Sequence, residues 1–166
     1  MSLMEQTNIP LIRPAIASDA AAIIHLITKH AEHEKEPYDP AGKLEHLQWW
    51  LSLENRNCTF LVVEENKTLI GYCTFALQFD TWYQKEYLFL DALYLEPAAR
   101  GKGLGRALME RAVEEAKAKA VTTVQLVTPA HNHGAIAFYK KLGGRSTTKE
   151  WFTFELPEWL DSELLN

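Results

Sequence analysis

The chain has 166 residues, of which 47% are hydrophobic and 23% charged, with a formal net charge of -5. That length suits one sizeable core, and the acidic balance excludes nucleic acid or an anionic membrane surface as the main partner, since both are held by clustered lysine and arginine. No apolar run approaches the roughly 20 residues of a membrane span and no basic-then-apolar segment opens the chain, so a cytoplasmic protein is expected.

Residues 1–7 read as a leader; Met4 within "MSLMEQ" marks residues 1–3 as expression-derived candidates. "NIPLIRPA" is extended by its prolines and ends near Pro14. Asp19 stands as a helix cap before "AAAIIHLITKHAEHE", where Ile23, Ile24, Ile27 and Ala31 share one face. Asp39 as cap and Pro40 at the first helical position start a second helix with Leu44, Leu47, Trp50 and Leu51 as its stripe; Trp49 and Trp50 are expected in the core. The period then changes to two. "CTFLVVEE" and "TLIGYCTFALQF", joined at Asn66 and Lys67, predict a hairpin, and the nearly all-apolar "EYLFLDALYLEP" predicts a central strand. "LGRALMERAVEEAKAKA" predicts a helix with Leu104, Leu108, Ala112 and Ala116 inward. "TTVQLVT" reads as a buried strand parallel to the preceding one. Asn132 caps "HGAIAFYKKL", which Gly143 and Gly144 end, and "EWFTFEL" reads as a last strand. The expectation is a single α/β domain over residues 8–160 with a mixed sheet, in the order β-α-α-β-β-β-α-β-α-β. Cys58 and Cys73 lack metal or redox spacing and are expected as free thiols.

The stretch "RGKGLGR", residues 100–106, lies between a strand and a helix. Glycines there let successive amides curl around an anion at the helix N-terminus, and Arg100, Lys102 and Arg106 add positive charge. A P-loop is excluded because no GK[ST] occurs, and a dinucleotide site because the spacing is GxGxG with no acid in the next strand.

"LYLEPAARGKGLGRALM" resembles the central motif of the GNAT superfamily of N-acetyltransferases, through Arg100, Gly103 and Gly105. "LIRPAIASDAAAI" and "NHGAIAFYKKLG" are similar to its opening and downstream segments, so the likeness spans almost the whole chain. The resemblance implies acetyl-CoA as cofactor. Its pyrophosphate would lie on Gly101, Lys102, Gly103, Leu104, Gly105 and Arg106, its pantetheine beside the backbone of Leu93, Tyr94 and Leu95, and its arm near Asn132 and Ala135. Tyr139 matches the tyrosine that protonates the departing thiolate. A homodimer is also implied.

Strict alternation puts Asp91 on one face with Phe89 and Leu93, in apolar surroundings that would raise its pKa and suit it to accept a proton, directly or through water, or to hold a cationic amine. Within the superfamily the chain most resembles the diamine (spermidine/spermine-type) and thialysine acetyltransferases: "AEHEKE" carries His33 and Glu34, "FDTW" carries Asp80 and Trp82, and "KEW" carries Glu150 and Trp151. These groups, converging with Asp91 on one cleft, would suit a small cationic amine, polyamine or amino-acid-like. Two departures stand out: Asp91 is followed by Ala92 where those enzymes pair acids, and the stretch from Trp82 to Asp91 is one residue longer. His30, His33 and Glu34, or the histidines of "HNH", lack a metal motif, and no metal is expected. Alternatives left open are a protein or peptide N-acetyltransferase and a non-catalytic acyl-CoA sensor.

Overall fold

The structure, a computed structural model, describes residues 9–54 and 56–154. The chain forms two compact units divided after Asn132. The first holds a five-stranded sheet in the order β1 (Leu11–Pro14), β2 (Cys58–Glu65), β3 (Thr68–Asp80), β4 (Lys85–Leu95), β5 (Val124–Leu126), with helices α1 (Ala20–Glu34), α2 (Lys43–Ser52) and α3 (Leu104–Ala118). Neighbouring strands are antiparallel except β4 and β5, which run parallel, as a strand–helix–strand unit requires.

Period-two alternation in β2 and β3 builds two cores, one on each side of the sheet. Leu61, Val63, Cys73 and Phe75 face α3, where Leu108, Ala112 and Ala116 are buried as their helical spacing predicts. Val62, Tyr72 and Tyr94 face the other way, against Ile23 and Leu26 of α1 and Leu51 of α2. The β2–β3 turn has positive φ at both Asn66 and Lys67 (52° and 62°), the geometry whose twist matches a two-residue hairpin.

Two helix starts differ from expectation. Asp19 precedes α1 but does not cap it: its carboxylate accepts the Ile16 N–H (2.9 Å) and both terminal nitrogens of Arg13 (2.7 and 3.0 Å). Arg13 Nε also meets Glu64 at 2.7 Å, so the cluster ties β1 to β2 and to the entry of α1; the Arg13 guanidinium holds the Asp19 carboxyl below its ordinary range. The second helix begins at Lys43, not Pro40, because Gly42 in the left-handed region (φ 70°) breaks the chain there, and Asp39 instead accepts the Ala41 N–H within a turn. Trp49 is 53% exposed while Trp50 is half-buried, since adjacent helical residues point about 100° apart and cannot both face one core. β5 is a short, half-buried strand rather than a fully buried one.

The second unit contains α4 (His133–Lys141), closed by the Gly144 N–H on the Tyr139 carbonyl (3.0 Å) with Gly143 at φ 92°. The last strand expected from "EWFTFEL" is not formed over residues 150–154; Glu155 and Leu156 lie outside the described residues. Alternation in a sequence fixes which way side chains point; a strand also needs a ladder partner, and residues 145–154 belong to no helix or strand.

Candidate active site

The centre of the first unit is a bulge. Thr74 pairs with Ala92 and Phe75 with Leu90, so Asp91 is an extra residue on β4 with no partner on β3. Before it, Leu88 and Leu90 face α3; after it, Leu93 and Leu95 do, and the phase of the strand has reversed. Asp91 belongs to neither core. It is exposed, and the Thr74 hydroxyl donates to its carboxylate at 3.4 Å. The apolar surroundings expected from strict alternation are therefore absent, because alternation does not hold across a bulge.

The same place is where the sheet opens. β5 covers β4 only from Leu88 to Leu90, while β3 pairs β4 as far as Leu95. From Asp91 to Leu95 one edge of β4 has no strand beside it among the described residues. An extended chain could add there as an extra strand. One lone pair of the Leu95 carbonyl is already taken by Arg100 Nε (2.9 Å), and the Arg100 guanidinium lies 5.5 Å from the Tyr94 ring, so this arginine braces the strand end as well as adding charge.

Beyond Leu95 the glycine loop takes up the positive φ values that an amide cradle requires, 75° at Gly101 and 83° at Gly103, which stands at the start of α3. A Cβ at either glycine would meet nothing within 4 Å, so the backbone faces open space. The first intrahelical bond of α3 runs from the Ala107 N–H to the Gly103 carbonyl (3.0 Å), leaving the amides of Leu104, Gly105 and Arg106 at the positive end of the helix dipole. Arg106 pairs with Glu110 on the surface, and Lys102 is exposed without an ion pair among the described residues.

On the α1 side, Tyr72, His30 and Glu34 form a chain of contacts that residue spacing does not reveal. The Tyr72 hydroxyl and His30 Nδ1 are 2.8 Å apart, His30 Nε2 is 3.6 Å from Glu34, and the Asn132 amide donates to Glu34 at 3.1 Å. His30 also stacks on Tyr94 at 5.0 Å. Helical i, i+4 spacing puts His30 and Glu34 on one face, but Tyr72 comes from β3, and only the fold brings it there. His131 Nε2 meets the Glu34 carbonyl at 2.9 Å. Glu34 and Asn132, expected to serve substrate and cofactor separately, thus contact each other; His33 is exposed beside Tyr94.

Burial pushes the His30 imidazole below its ordinary value of 6.5, with Glu34 opposing the shift. The neutral ring is therefore the folded state's preference. Above about pH 6.5 His30 is neutral in both folded and unfolded chains; below it the unfolded chain takes the proton first, so stability falls as pH drops towards the lowered folded value. Thermal unfolding at pH 8, 6.5 and 5 checks this: the wild type loses stability across the lower interval, and His30→Gln flattens that part of the profile.

The remaining predicted residues lie elsewhere. Asp80 is six positions beyond Thr74 on β3, about 20 Å along the strand, and its carboxylate accepts the N–H groups of Trp82 (2.9 Å) and Tyr83 (3.2 Å) at the hairpin tip, where Trp82 is 94% exposed. The structure does not bring these two together with Asp91 and Glu34. In the second unit, Tyr139 and Ala135 are half-buried on α4, the Tyr139 ring packs edge-on to Phe138 (5.1 Å), and Glu150 and Trp151 are exposed. No group of three or more possible metal ligands occurs among the described residues. Nor does any described helix have the length and apolarity to cross a membrane.

One strand and its following loop thus bring together an exposed carboxylate on a bulge, an open strand edge and an amide cradle at a helix start, parts that suit an extended ligand ending in an anion. The acetyltransferase (GNAT) family model matches residues 22–144, and the chain belongs to that family. It is 32% identical over 137 residues to the uncharacterized N-acetyltransferase YhfO of Bacillus subtilis, covering 82% of this chain and 91% of that one. It is 28% identical to the thialysine N-epsilon-acetyltransferase of Sus scrofa, covering 87% and 90%. Its fold matches a predicted acetyltransferase with acetyl-CoA from Clostridium acetobutylicum at a TM-score of 0.70 and 23% identity, covering 90% and 98%. The chain is an N-acetyltransferase dependent on acetyl-CoA, and the residues of the loop and of the β4 edge fit that cofactor.

Proposed function

We propose that the protein acetylates a small primary amine by direct transfer in a ternary complex. The observation that carries this reading is the convergence, within one strand and its following loop, of the Asp91 bulge, the open edge from Asp91 to Leu95 and the amide cradle from Gly101 to Arg106. Acetyl-CoA supplies the acetyl group as a thioester: an amide C–N bond forms as the C–S bond breaks, the acceptor ammonium gives up a proton before attack, and the departing sulfur takes one.

Direct transfer is favoured over an acetyl-cysteine route by the thiols themselves. Burial pushes Cys58 up to about 11 and Cys73 up to about 12, so neither is a useful thiolate near neutral pH. Asp91 attracts the ammonium and accepts its proton, directly or through water; its exposure suits it to meet a charged molecule arriving from solvent. Tyr139 gives the departing thiolate its proton, an assignment supported by the family motif around it. Leu93, Tyr94 and Leu95 hold the pantetheine arm, and the family resemblance adds Asn132 and Ala135 to its contacts. His33 and Glu34 border the acceptor side. Roles for Asp80, Trp82, Glu150 and Trp151 rest on the resemblance to the diamine and thialysine enzymes. A cytoplasmic homodimer belongs to the same reading, with family likeness behind the dimer and composition behind the compartment.

The test is CoA-thiol release from acetyl-CoA against a panel of amines, amino acids and peptides. Turnover with a small amine is expected. Turnover confined to peptides would replace the reading with a protein acetyltransferase, and tight acetyl-CoA binding without any turnover would leave an acyl-CoA sensor.

A further inference from the structure

Between α1, α2 and β2 the first unit carries an open pocket of about 460 Å³, within the range that small ligands occupy. Its wall is almost wholly apolar, made by Ile24 and Ile27 of α1, Leu47 and Trp50 of α2, and Cys58 and Phe60 of β2. Its position relative to the bulge follows from the ladder. Phe60 pairs with Thr74, and Thr74 reaches the Asp91 carboxylate at 3.4 Å. Phe60 and Tyr72 share the sheet face covered by α1 and α2, and alternation puts Thr74 on that face too. The cavity floor and the carboxylate are therefore about two strand spacings, or ~10 Å, apart on one side of the sheet. After burial, the Asp91 charge is the largest influence raising the Cys58 thiol, which agrees with that proximity.

We propose that this cavity holds the body of the acceptor, and that the acceptor is a primary amine borne on an apolar or aromatic group rather than a polyamine. The proposal rests on the N-acetyltransferase reading above and narrows it. With the amine at Asp91, a short alkyl link of the kind in an arylethylamine spans to the cavity. A polyamine would place a second ammonium in the cavity, and no acid lines it to receive that charge. The cationic side chain on the wall is Lys43, whose ammonium lies 4.0 Å over the Tyr38 ring. A second cation there would find no counter-charge and would meet the like charge of Lys43.

The experiment compares CoA-thiol release at saturating acetyl-CoA with 2-phenylethylamine, isopentylamine, putrescine and spermidine, alongside calorimetric binding of each amine. The expected result is a kcat/KM for 2-phenylethylamine at least 100-fold above that for putrescine. Leu47→Trp fills the cavity and is expected to raise the KM for 2-phenylethylamine at least tenfold. Ile27→Phe, on the facing helix, serves if the first variant does not fold, and the KM for acetyl-CoA reports an intact donor side. Diamine turnover equal to or faster than that of the apolar amines overturns this proposal and leaves the N-acetyltransferase reading standing. If no amine is acetylated, that reading fails instead. In that case calorimetry decides the cavity: 2-phenylethylamine binding that Leu47→Trp abolishes supports it, and no binding overturns it.

Discussion

Tyr139→Phe lowers kcat by about 100-fold, the low end of what a positioned proton donor contributes. A thiolate is a tolerable leaving group even without a proton, which is why the loss stays near that end. The substitution keeps the aromatic ring and its edge contact with Phe138, so α4 retains its packing while the hydroxyl alone is removed. Steady-state thiol release with a saturating amine measures the effect. The KM for acetyl-CoA is expected to stay within about twofold, because the cradle and the β4 edge lie on other residues; a role confined to cofactor binding would move KM and spare kcat. Unchanged thiol release would remove Tyr139 from the mechanism.

The largest loss of stability is expected at Gly71. A Cβ there would lie 2.7 Å from the Tyr94 carbonyl oxygen and against the Leu95 side chain. The carbonyl is backbone in the β3–β4 ladder, where Gly71 faces Leu95, so relief requires the two central strands to move apart. Gly71→Ala is expected to cost about 3 kcal/mol, the upper end for overpacking, and to lower Tm by roughly 6–12 °C. Because the displaced backbone is the segment beside which the pantetheine arm is proposed to lie, the KM for acetyl-CoA should rise in the same variant. Gly101→Ala is the control: its Cβ meets nothing, and only the positive φ of 75° opposes it, a strain of about 1–2 kcal/mol. Thermal unfolding of the two side by side separates clash from strain, and an unchanged Tm for Gly71→Ala would show that the strands yield freely.

Much of this framework could be read from residue spacing. The hairpin of β2 and β3, the inward face of α3 and the parallel β4–β5 pair follow from periodicity, and the glycine loop from its own composition. Asp91 shows where periodicity stops informing. A bulge adds one residue to one strand and leaves no residue type as its signature, so strict alternation expects apolar surroundings for an aspartate that the bulge leaves exposed. A sign was present in the leucines: Leu88 and Leu90 keep one phase, Leu93 and Leu95 the other, with a spacing of three between the pairs. At the start of α2, Asp39 and Pro40 fit a turn as well as a cap, and Gly42 decides between them. Tyr72 and His30 meet across 42 positions of sequence, a pairing that no local pattern can announce. Resemblance groups Asp80 and Trp82 with Glu34, yet the length of the β3–β4 hairpin carries them well away from the bulge.

The bulge also bears on how such a protein can change over generations. Because the residue at 91 is exposed and has no ladder partner, replacing it should cost no more than about 1 kcal/mol, the worth of the hydrogen bond that the buried Thr74 hydroxyl gives it. The sheet on either side keeps its leucines whatever stands there. Selection can thus rewrite the group that greets the incoming amine while the scaffold remains untouched, and a lineage can trade one acceptor for another through a single codon without passing through an unfolded ancestor.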